Sequence, residues 1–285
     1  ELDKADPSGR PLHKFDHGSA LVLAGGVGRG GAARMAARGA LRVGAGLVTV
    51  GCPPAALIEN AGALDAIMLR PVADGAALAA MQEDDRINAL CLGPGLGTGD
   101  REAGLLAAAL DGLQGHPGRR IVLDGDALTL LSQDKALFGR LTGACVLTPH
   151  AGEFARLFPD IAEWLKAPAV RGPAWSKLDA TRAAAERAGC VVLYKGPDTV
   201  IADPSGRAAV HSAQYDRAAP WLGTAGAGDV LSGFITGLAA RGFEPLSAAG
   251  TGAWLHVECA LSFGPGLVAE DLPEELPKVF RSLDL

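Results

Sequence analysis

The sequence predicts an α/β fold in which a mostly parallel sheet is covered by helices on both faces. Short apolar segments alternate with Ala- and Leu-rich segments of helical length along most of the chain. The short segments are continuously apolar, which is typical of parallel strands buried on both faces. Near the C-terminal third, two strand-like segments on either side of a turn predict one antiparallel hairpin.

The individual elements follow from these runs and from their spacing. Strands are predicted at 20–24, 47–50, 89–92, 121–123, 144–147 and 191–194, and helices at 32–43, 102–113 and 177–188. The turn Asp203-Pro204-Ser205-Gly206 joins hairpin strands at 199–202 and 208–211, and two long helices follow at 228–241 and 245–262. The segment 159–173 has no clear period, so we expect an irregular surface excursion there.

Size, charge and cysteine content limit the class of protein. The 285 residues, of which 48% are hydrophobic, fit a single α/β domain spanning 1–285. A net charge of −6 supplies no positive field for nucleic acid or for an anionic membrane. The five cysteines are far apart and have no CxxC spacing, so we expect reduced core thiols. Because no apolar run reaches transmembrane length, and the first dozen residues are polar, we expect neither a transmembrane helix nor a signal peptide, and the reduced thiols predict a cytoplasmic protein.

Three glycine-rich segments follow predicted strands or loops and precede helices, at 25–31, 93–97 and 224–229. Glycine lets the backbone approach a ligand closely, and the first amides of a helix bind phosphate oxygens. Three such segments predict a large polyanionic ligand, or two ligands. A dinucleotide fingerprint at Gly26, Gly28 and Gly31 is weak evidence, because the next strand ends at Gly51-Cys52 without the acidic residue that holds a ribose.

The strongest chemical signal is Gly226-Ala227-Gly228-Asp229 at the start of an amphipathic helix. The amides of Gly226, Ala227 and Gly228 are predicted to form an anion hole, beside which Asp229 could take a proton from a hydroxyl group. An acidic residue in the first turn also caps a helix and complements its dipole. Spacing alone leaves both interpretations of Asp229 open.

Across nearly the whole chain, the sequence resembles a known family, the ADP-dependent NAD(P)H-hydrate dehydratases of the ribokinase-like superfamily. The glycine-rich start of the last helix is common to the superfamily, whereas Thr148-Pro149-His150-Ala151-Gly152-Glu153 and Gly93-Pro94-Gly95-Leu96-Gly97 are specific to the dehydratases. The other matching segments are His13-Lys14, Gly31-Ala32-Ala33, Gly44 to Thr49, Leu123 to Leu128, Lys195 to Thr199, Thr224 to Asp229, and Trp254-Leu255-His256.

The resemblance implies a role for each matching position. It implies that Ala32, Gly95, His150 and Asp229 contact a hydrated NADH or NADPH, and that Asp229 is the catalytic base. It implies that an ADP co-substrate, assisted by Mg²⁺, is bound by Lys195, Gly196, Pro197, Asp198, Thr199 and Gly228. Family members are commonly homotetramers, and many are fused behind an epimerase domain, which we therefore expect upstream of Glu1.

Several of these residues also have simpler interpretations. His150 could end a strand and bond to the backbone, and Lys195 could be an exposed lysine beside a turn. Asp124 and Asp126 could each stabilise a turn, or could each contact a ligand or a metal. His256 has apolar neighbours on its helix, so we interpret it as a packing histidine. His17 departs from the family pattern, and its role stays open, as does the identity of any residue that binds metal.

The implied reaction is loss of water from the hydrated nicotinamide ring, driven by ADP. Phosphorylation would turn the ring hydroxyl into a good leaving group, with AMP and phosphate as by-products. A small-molecule kinase of the same fold, acting for example on a vitamin precursor, needs the same aspartate and anion hole. A non-catalytic nucleotide-binding domain is the third possibility, and Asp229 argues against it.

Overall fold

The strands form one twisted layer through the middle of the molecule. In the computed structural model, which describes residues 2–5, 12–169 and 172–285, these residues build a nine-stranded sheet in the spatial order β3-β2-β1-β4-β5-β6-β7-β8-β9. The strands are β1 (Ser19–Leu23), β2 (Leu47–Cys52), β3 (Met68–Pro71), β4 (Ile87–Leu92), β5 (Arg120–Leu123), β6 (Cys145–Leu147), β7 (Val191–Tyr194), β8 (Asp198–Ala202) and β9 (Ala208–Ser212).

All pairings from β3 through β7 are parallel, and the pairings of β7 with β8 and of β8 with β9 are antiparallel. The strand order reverses at β1, which lies between β2 and β4. In open α/β sheets, ligands bind beyond the carboxyl ends of the strands at such a switch point. The glycine-rich segments that follow β1 and β4 are therefore neighbours at one edge of the sheet.

Helices cover both faces of this sheet. They are α1 (Gly30–Arg42), α2 (Leu57–Ala61), α3 (Gly75–Met81), α4 (Asp100–Asp111), α5 (Gly125–Gln133), α6 (Lys135–Phe138), α7 (Ala151–Leu157), α8 (Pro159–Lys166), α9 (Lys177–Ala188), α10 (Ala227–Ala240), α11 (Pro245–Phe263) and α12 (Asp271–Ser282). None of them is long and apolar enough to span a bilayer.

The two faces carry separate hydrophobic cores. Ala20 and Val22 of β1 pack in one core, with α1, α10, α11 and α12, whereas Leu21 and Leu23 pack in the other, with α3 to α9. This division follows from the alternation of side chains along a strand. It also explains why β1 is apolar from Ala20 to Leu23, as the sequence predicts, because both of its faces are buried.

Helix α10 is packed unusually closely against α1. A Cβ atom at Gly233 of α10 would lie 2.1 Å from the backbone oxygen of Ala36 in α1, so only glycine allows this approach. The contact holds the start of α10 beside the start of α1. Because both helices begin at the carboxyl edge of the sheet, the predicted anion hole lies near the glycine-rich segment that precedes α1.

The predicted strands and helices are present near their expected positions, and the structure adds further elements, among them β3, α3 and α12. Strand β3 is missing from the prediction because this edge strand is mostly exposed and has no apolar run. The prediction of an irregular segment at 159–173 is wrong for Pro159–Lys166, which forms α8 with proline at its first position and buries Ile161 and Ala162. Residues 170–171 of that segment lie outside the described residues. All five cysteines are buried free thiols, as expected.

Candidate functional site

Two glycine-rich segments meet at the carboxyl edge of the sheet, and they bring Ala32 and Gly95 together. A Cβ atom at Gly25 would lie 2.1 Å from the backbone oxygen of Gly95, so the segments after β1 and β4 touch through their backbones. Gly95 has a φ of +59°, and a Cβ there would lie 3.2 Å from the Cβ of Ala32. These two predicted substrate-binding residues are therefore direct neighbours, although 62 intervening residues separate them in the sequence.

The segment after β5 joins the same edge through Asp126. Its Oδ2 accepts a hydrogen bond of 2.7 Å from the backbone N–H of Gly97. Asp126 thus fixes the loop between β4 and α4, so its side chain acts beyond its own turn, and a contact to ligand or metal stays a prediction. The carboxylate also contributes negative potential at Asp229.

The start of α10 presents the predicted anion hole. Gly226 is the N-cap residue with a φ of +90°, and no side chain within the described residues caps this helix. The first amides of a helix have no partner within the helix and carry its positive dipole end. The N–H of Ala227 is also 3.5 Å from the oxygen of Thr224, at the limit of a hydrogen bond. The amides of this turn are thus suited to an anionic ligand.

Asp229 lies in the first turn of α10, in surroundings that disfavour its ionised form. Burial, together with the nearby carboxylate of Asp124, raises the pKa of Asp229 to about 6, against the opposing effect of Lys195. The carboxylates of Asp126 and Glu153 raise it further. A carboxylate with a pKa near neutrality is a better proton acceptor than one with the ordinary value. This environment separates Asp229 from an ordinary first-turn aspartate.

Lys195 forms a buried ion pair that the sequence did not reveal. Its Nζ is 2.7 Å from Oδ1 of Asp124, whose other oxygen accepts a hydrogen bond of 2.9 Å from the hydroxyl of Ser232. Burial lowers the pKa of Lys195, but the charges of Asp124 and Glu153 more than offset this effect, so the pKa is raised. The interpretation of Lys195 as an exposed lysine is thus wrong, because its side chain is only 18% exposed.

The same contacts place the charged end of Lys195 beside α10. A Cβ atom at Gly228 would lie 3.4 Å from Nζ of Lys195 and 3.9 Å from Oδ2 of Asp124. Oε2 of Glu153 is 3.9 Å from Nζ of Lys195. The buried Asp124 is therefore neither a simple turn residue nor a free ligand. It holds the lysine ammonium at the helix start.

A cavity of about 580 Å³ opens next to this ion pair. Four of the five consecutive residues predicted to bind nucleotide line it, together with Gly228 at the start of α10. The lining residues are Lys195, Gly196, Pro197, Thr199, Ala213, Gln214, Tyr215, Ala218, Ala219, Pro220, Leu222, Gly223, Ala227, Gly228, Leu231, Ala253, His256 and Val257. Asp198 is the exception, since its carboxylate accepts a hydrogen bond from the side chain of Gln214 instead.

The three histidines of interest occupy different surroundings. His150 caps α7, where its Nδ1 accepts a hydrogen bond of 3.0 Å from the N–H of Gly152, and its side chain is 57% exposed. The predicted backbone contact of His150 is therefore present, and its exposed ring leaves the substrate role a prediction. Because Lys195 donates its backbone N–H to the oxygen of Pro149, His150 lies close to the cavity.

His256 is buried, and its Nε2 lies 2.8 Å from the backbone oxygen of Ala227. Burial lowers its pKa to about 4, so the ring is neutral at physiological pH. These observations confirm that His256 is a packing histidine whose ring has a hydrogen-bond partner. The same hydrogen bond supports the first turn of α10. His17 lies in a short 3₁₀ helix, Lys14–His17, before β1. It is at the amino edge of the sheet, away from the carboxyl edge.

Sequence reasoning assigned no role to Glu153 or Ser232. Glu153 forms a capping box with His150, which the spacing of three residues could have indicated. Ser232 is one turn beyond Gly228 on α10, and its contact to Asp124 spans 108 positions of sequence, for which no local signal exists.

Known proteins similar to this chain identify its family. A family model described as NAD(P)H-hydrate dehydratase matches residues 20–278. A bifunctional NAD(P)H-hydrate repair enzyme of Moorella thermoacetica is 34% identical over an alignment that covers 100% of this chain and 52% of that protein. An ADP-dependent (S)-NAD(P)H-hydrate dehydratase of Neisseria meningitidis serogroup B is 35% identical over an alignment that covers 95% of this chain and 86% of that protein.

Among solved structures, an ADP/ATP-dependent NAD(P)H-hydrate dehydratase from Bacillus subtilis, co-crystallized with ATP and Mg²⁺, has a TM-score of 0.77 at 25% identity. The alignment covers 99% of this chain and 94% of the Bacillus subtilis protein. The predicted ribokinase-like fold is thus confirmed. The chain spans about half the length of the bifunctional relatives it matches. From the family model and these relatives together, the chain belongs to the NAD(P)H-hydrate dehydratase family.

Proposed function

We propose that this chain dehydrates hydrated NADH and NADPH, uses ADP as the phosphoryl donor, and releases NAD(P)H, AMP and phosphate. The observation that carries the proposal is the position of Asp229, whose pKa is about 6. Asp229 lies at the start of α10, which also contributes Gly228 to the cavity lined by Lys195, Gly196, Pro197 and Thr199. A base beside a nucleotide-sized cavity suits phosphoryl transfer to a hydroxyl group.

Each residue at the site has a part in this reaction. Asp229 would take the proton of the hydroxyl on the nicotinamide ring, and the oxygen would attack the terminal phosphorus of ADP as its bond to AMP breaks. The phosphate would then leave the ring carbon with the bonding electrons, and loss of a proton from the adjacent carbon would restore the double bond. The amides of Gly226, Ala227 and Gly228 would stabilise the charge on the transferred group.

Ala32, Gly95 and His150 are proposed to contact the hydrated dinucleotide. Gly95 and the small side chain of Ala32 lie side by side at the first turn of α1. Lys195 to Thr199 are proposed to bind ADP, with Lys195 supplying the positive charge. For Asp198 we propose an indirect role, because its carboxylate is bound by Gln214.

Magnesium fits this site as a companion of the nucleotide. In the part of the chain that the structure describes, no three His, Cys, Asp or Glu side chains converge as a metal centre. Mg²⁺ commonly keeps several waters and binds through substrate phosphates and one or two carboxylates. Asp126 and Glu153, which both act electrostatically on Asp229, are the carboxylates we propose to share it. The ion would neutralise phosphate charge.

The wider setting of the protein is also a proposal. We infer that residues 1–285 work as one domain, and the epimerase domain that the family resemblance implies is a proposal only for a longer, bifunctional form of the protein. We also propose a cytoplasmic location, which the five buried free cysteines support, and a homotetrameric assembly, which the family resemblance implies. Sedimentation of the purified chain would test the assembly.

The decisive assay supplies hydrated NADH with ADP, AMP or no nucleotide. With ADP, we expect NADH absorbance to return with about one phosphate released per NADH, because each dehydration consumes one phosphoryl group. AMP should bind but support no turnover, since it has no terminal phosphoryl group to transfer. A stable phosphorylated product would instead indicate a kinase, and binding of ADP without any reaction would indicate a non-catalytic domain.

The pKa of Asp229 also predicts a pH dependence. Because the base must be ionised to accept a proton, kcat/KM should rise as the pH increases through about 6 and then reach a plateau. Bound ADP adds negative charge near Asp229, so the corresponding rise in kcat should occur at a higher pH. Initial rates between pH 5 and pH 9, with the hydrate fully formed beforehand, measure both profiles. A rate that is flat below pH 7 would contradict this role of Asp229.

A further inference from the structure

Lys177 lies directly behind the turn that carries the proposed nucleotide residues. It is the first residue of α9, whose start is set by a capping box between Ser176 and Asp179. Its Nζ donates hydrogen bonds to the backbone oxygens of Lys195, at 3.0 Å, and of Asp198, at 2.5 Å. One ammonium group therefore ties both ends of the turn between β7 and β8 to α9.

The ammonium of Lys177 also lies over the face of an aromatic ring. Nζ lies 4.2 Å from the ring centroid of Tyr194, and that ring stacks on Phe154 with a centroid distance of 4.2 Å and an interplanar angle of 7°. A cation over an aromatic face is attracted by the ring quadrupole. The stack connects the turn to α7, the helix that carries Glu153 beside Lys195.

The turn is shaped to receive this ammonium. A Cβ atom at Gly196 would lie 2.7 Å from Nζ of Lys177, so a side chain there would displace it. Burial lowers the pKa of Lys177 to about 8, against the opposing charge of Asp198. Removing a charge from water is costly unless hydrogen bonds compensate. Here the two carbonyl groups provide that compensation.

Lys177 is not among the residues that line the cavity, whereas Lys195, Gly196 and Pro197 are. We propose that Lys177 is a positioning residue for the nucleotide, because it holds the turn from Lys195 to Asp198 in the conformation that lines the cavity. This inference rests on the proposed binding of ADP there. Lys177 contacts neither the hydrated dinucleotide site at Ala32 and Gly95 nor Asp229.

The test replaces Lys177 with methionine, which keeps an unbranched side chain of similar length but removes the charge and the hydrogen-bond donors. We expect the Kd and the KM for ADP to rise about tenfold, the loss associated with charge-assisted hydrogen bonds. The kcat at saturating ADP and the KM for the hydrate should change less than about twofold. Lys177→Arg keeps a charged donor and should recover most of the affinity. Lys135→Met, at an exposed lysine of α6, is the matched control.

Calorimetric titration of ADP separates this inference from the proposed function. If wild-type protein binds ADP and a folded Lys177→Met variant binds it equally well, the positioning role is wrong and the proposed reaction stands. If wild-type protein binds ADP but does not dehydrate the hydrate, the reaction is wrong and Lys177 is still tested by the titration. A parallel loss of ADP affinity, hydrate affinity and kcat would show a general structural role instead. Lys177→Gln repeats the titration if the methionine variant does not fold.

Discussion

Replacing Asp229 with asparagine is expected to lower kcat about a thousandfold, the contribution typical of a general base, while ADP binding survives. Asparagine keeps the size and polarity of the side chain but cannot accept the proton of the ring hydroxyl. The amides at the start of α10 and the cavity are unchanged. Initial rates with saturating ADP and hydrate, together with a calorimetric ADP titration, measure both effects.

The same variant should be more stable than wild type at alkaline pH. The folded-state pKa of Asp229 is raised from its ordinary value of 3.8 to about 6, so the folded protein binds the proton more tightly than the unfolded chain does. Stability is therefore lost as the pH rises from 3.8 to about 6, and the full cost of the ionised carboxylate is present above that range. Asparagine removes this cost. We therefore expect a higher Tm than wild type at pH 8 and a smaller difference at pH 5. Asp100→Asn, at the exposed first position of α4, should change neither the rate nor the Tm. Near-normal turnover of Asp229→Asn would remove Asp229 from the role of base.

The second large effect is expected from Asp124→Ala, which leaves the ammonium of Lys195 without its closest partner. Asp124 is 3% exposed, and breaking a buried ion pair typically costs about 3–5 kcal/mol. We expect the lower end of that range, about 3 kcal/mol, because Lys195 retains some exposure and lies near Glu153. Urea unfolding at pH 7 measures this loss.

A double variant distinguishes the ion pair from the binding role of Lys195. Asp124→Leu combined with Lys195→Met removes both charges, so most of the stability should return. ADP binding should not return, since the cavity would then lack its cation. Asp111→Ala breaks the exposed pair with Arg140 and should cost less than about 1 kcal/mol. If Asp124→Ala costs no more stability than this control, the buried ion pair does not stabilise the protein as proposed. If the double variant binds ADP normally, Lys195 does not supply the cation for ADP.

The sequence alone predicted eight of the nine strands that the structure describes, several of the helices, and the glycine-rich segments that precede helices. Continuous apolar runs identify strands buried on both faces, as in β1 from Ala20 to Leu23. Glycines followed by a helix identify the start of α10, and Asp229 with it. These signals are local, because the propensity and the periodicity of an element are set by its own residues. Edge strand β3 is absent from the prediction for the same reason, since an exposed edge needs no apolar run.

Only the tertiary structure decided which side chains share a site. Lys195 and Asp124 are 71 residues apart and meet because β5, β6 and β7 are neighbours in the sheet. Ala32 and Gly95 meet because β1 lies next to β4. The order of the strands is set by how the helices pack on both faces, which is a property of the whole chain. The partners of Asp124 and the position of Lys177 behind the nucleotide turn therefore have no signature in any single segment.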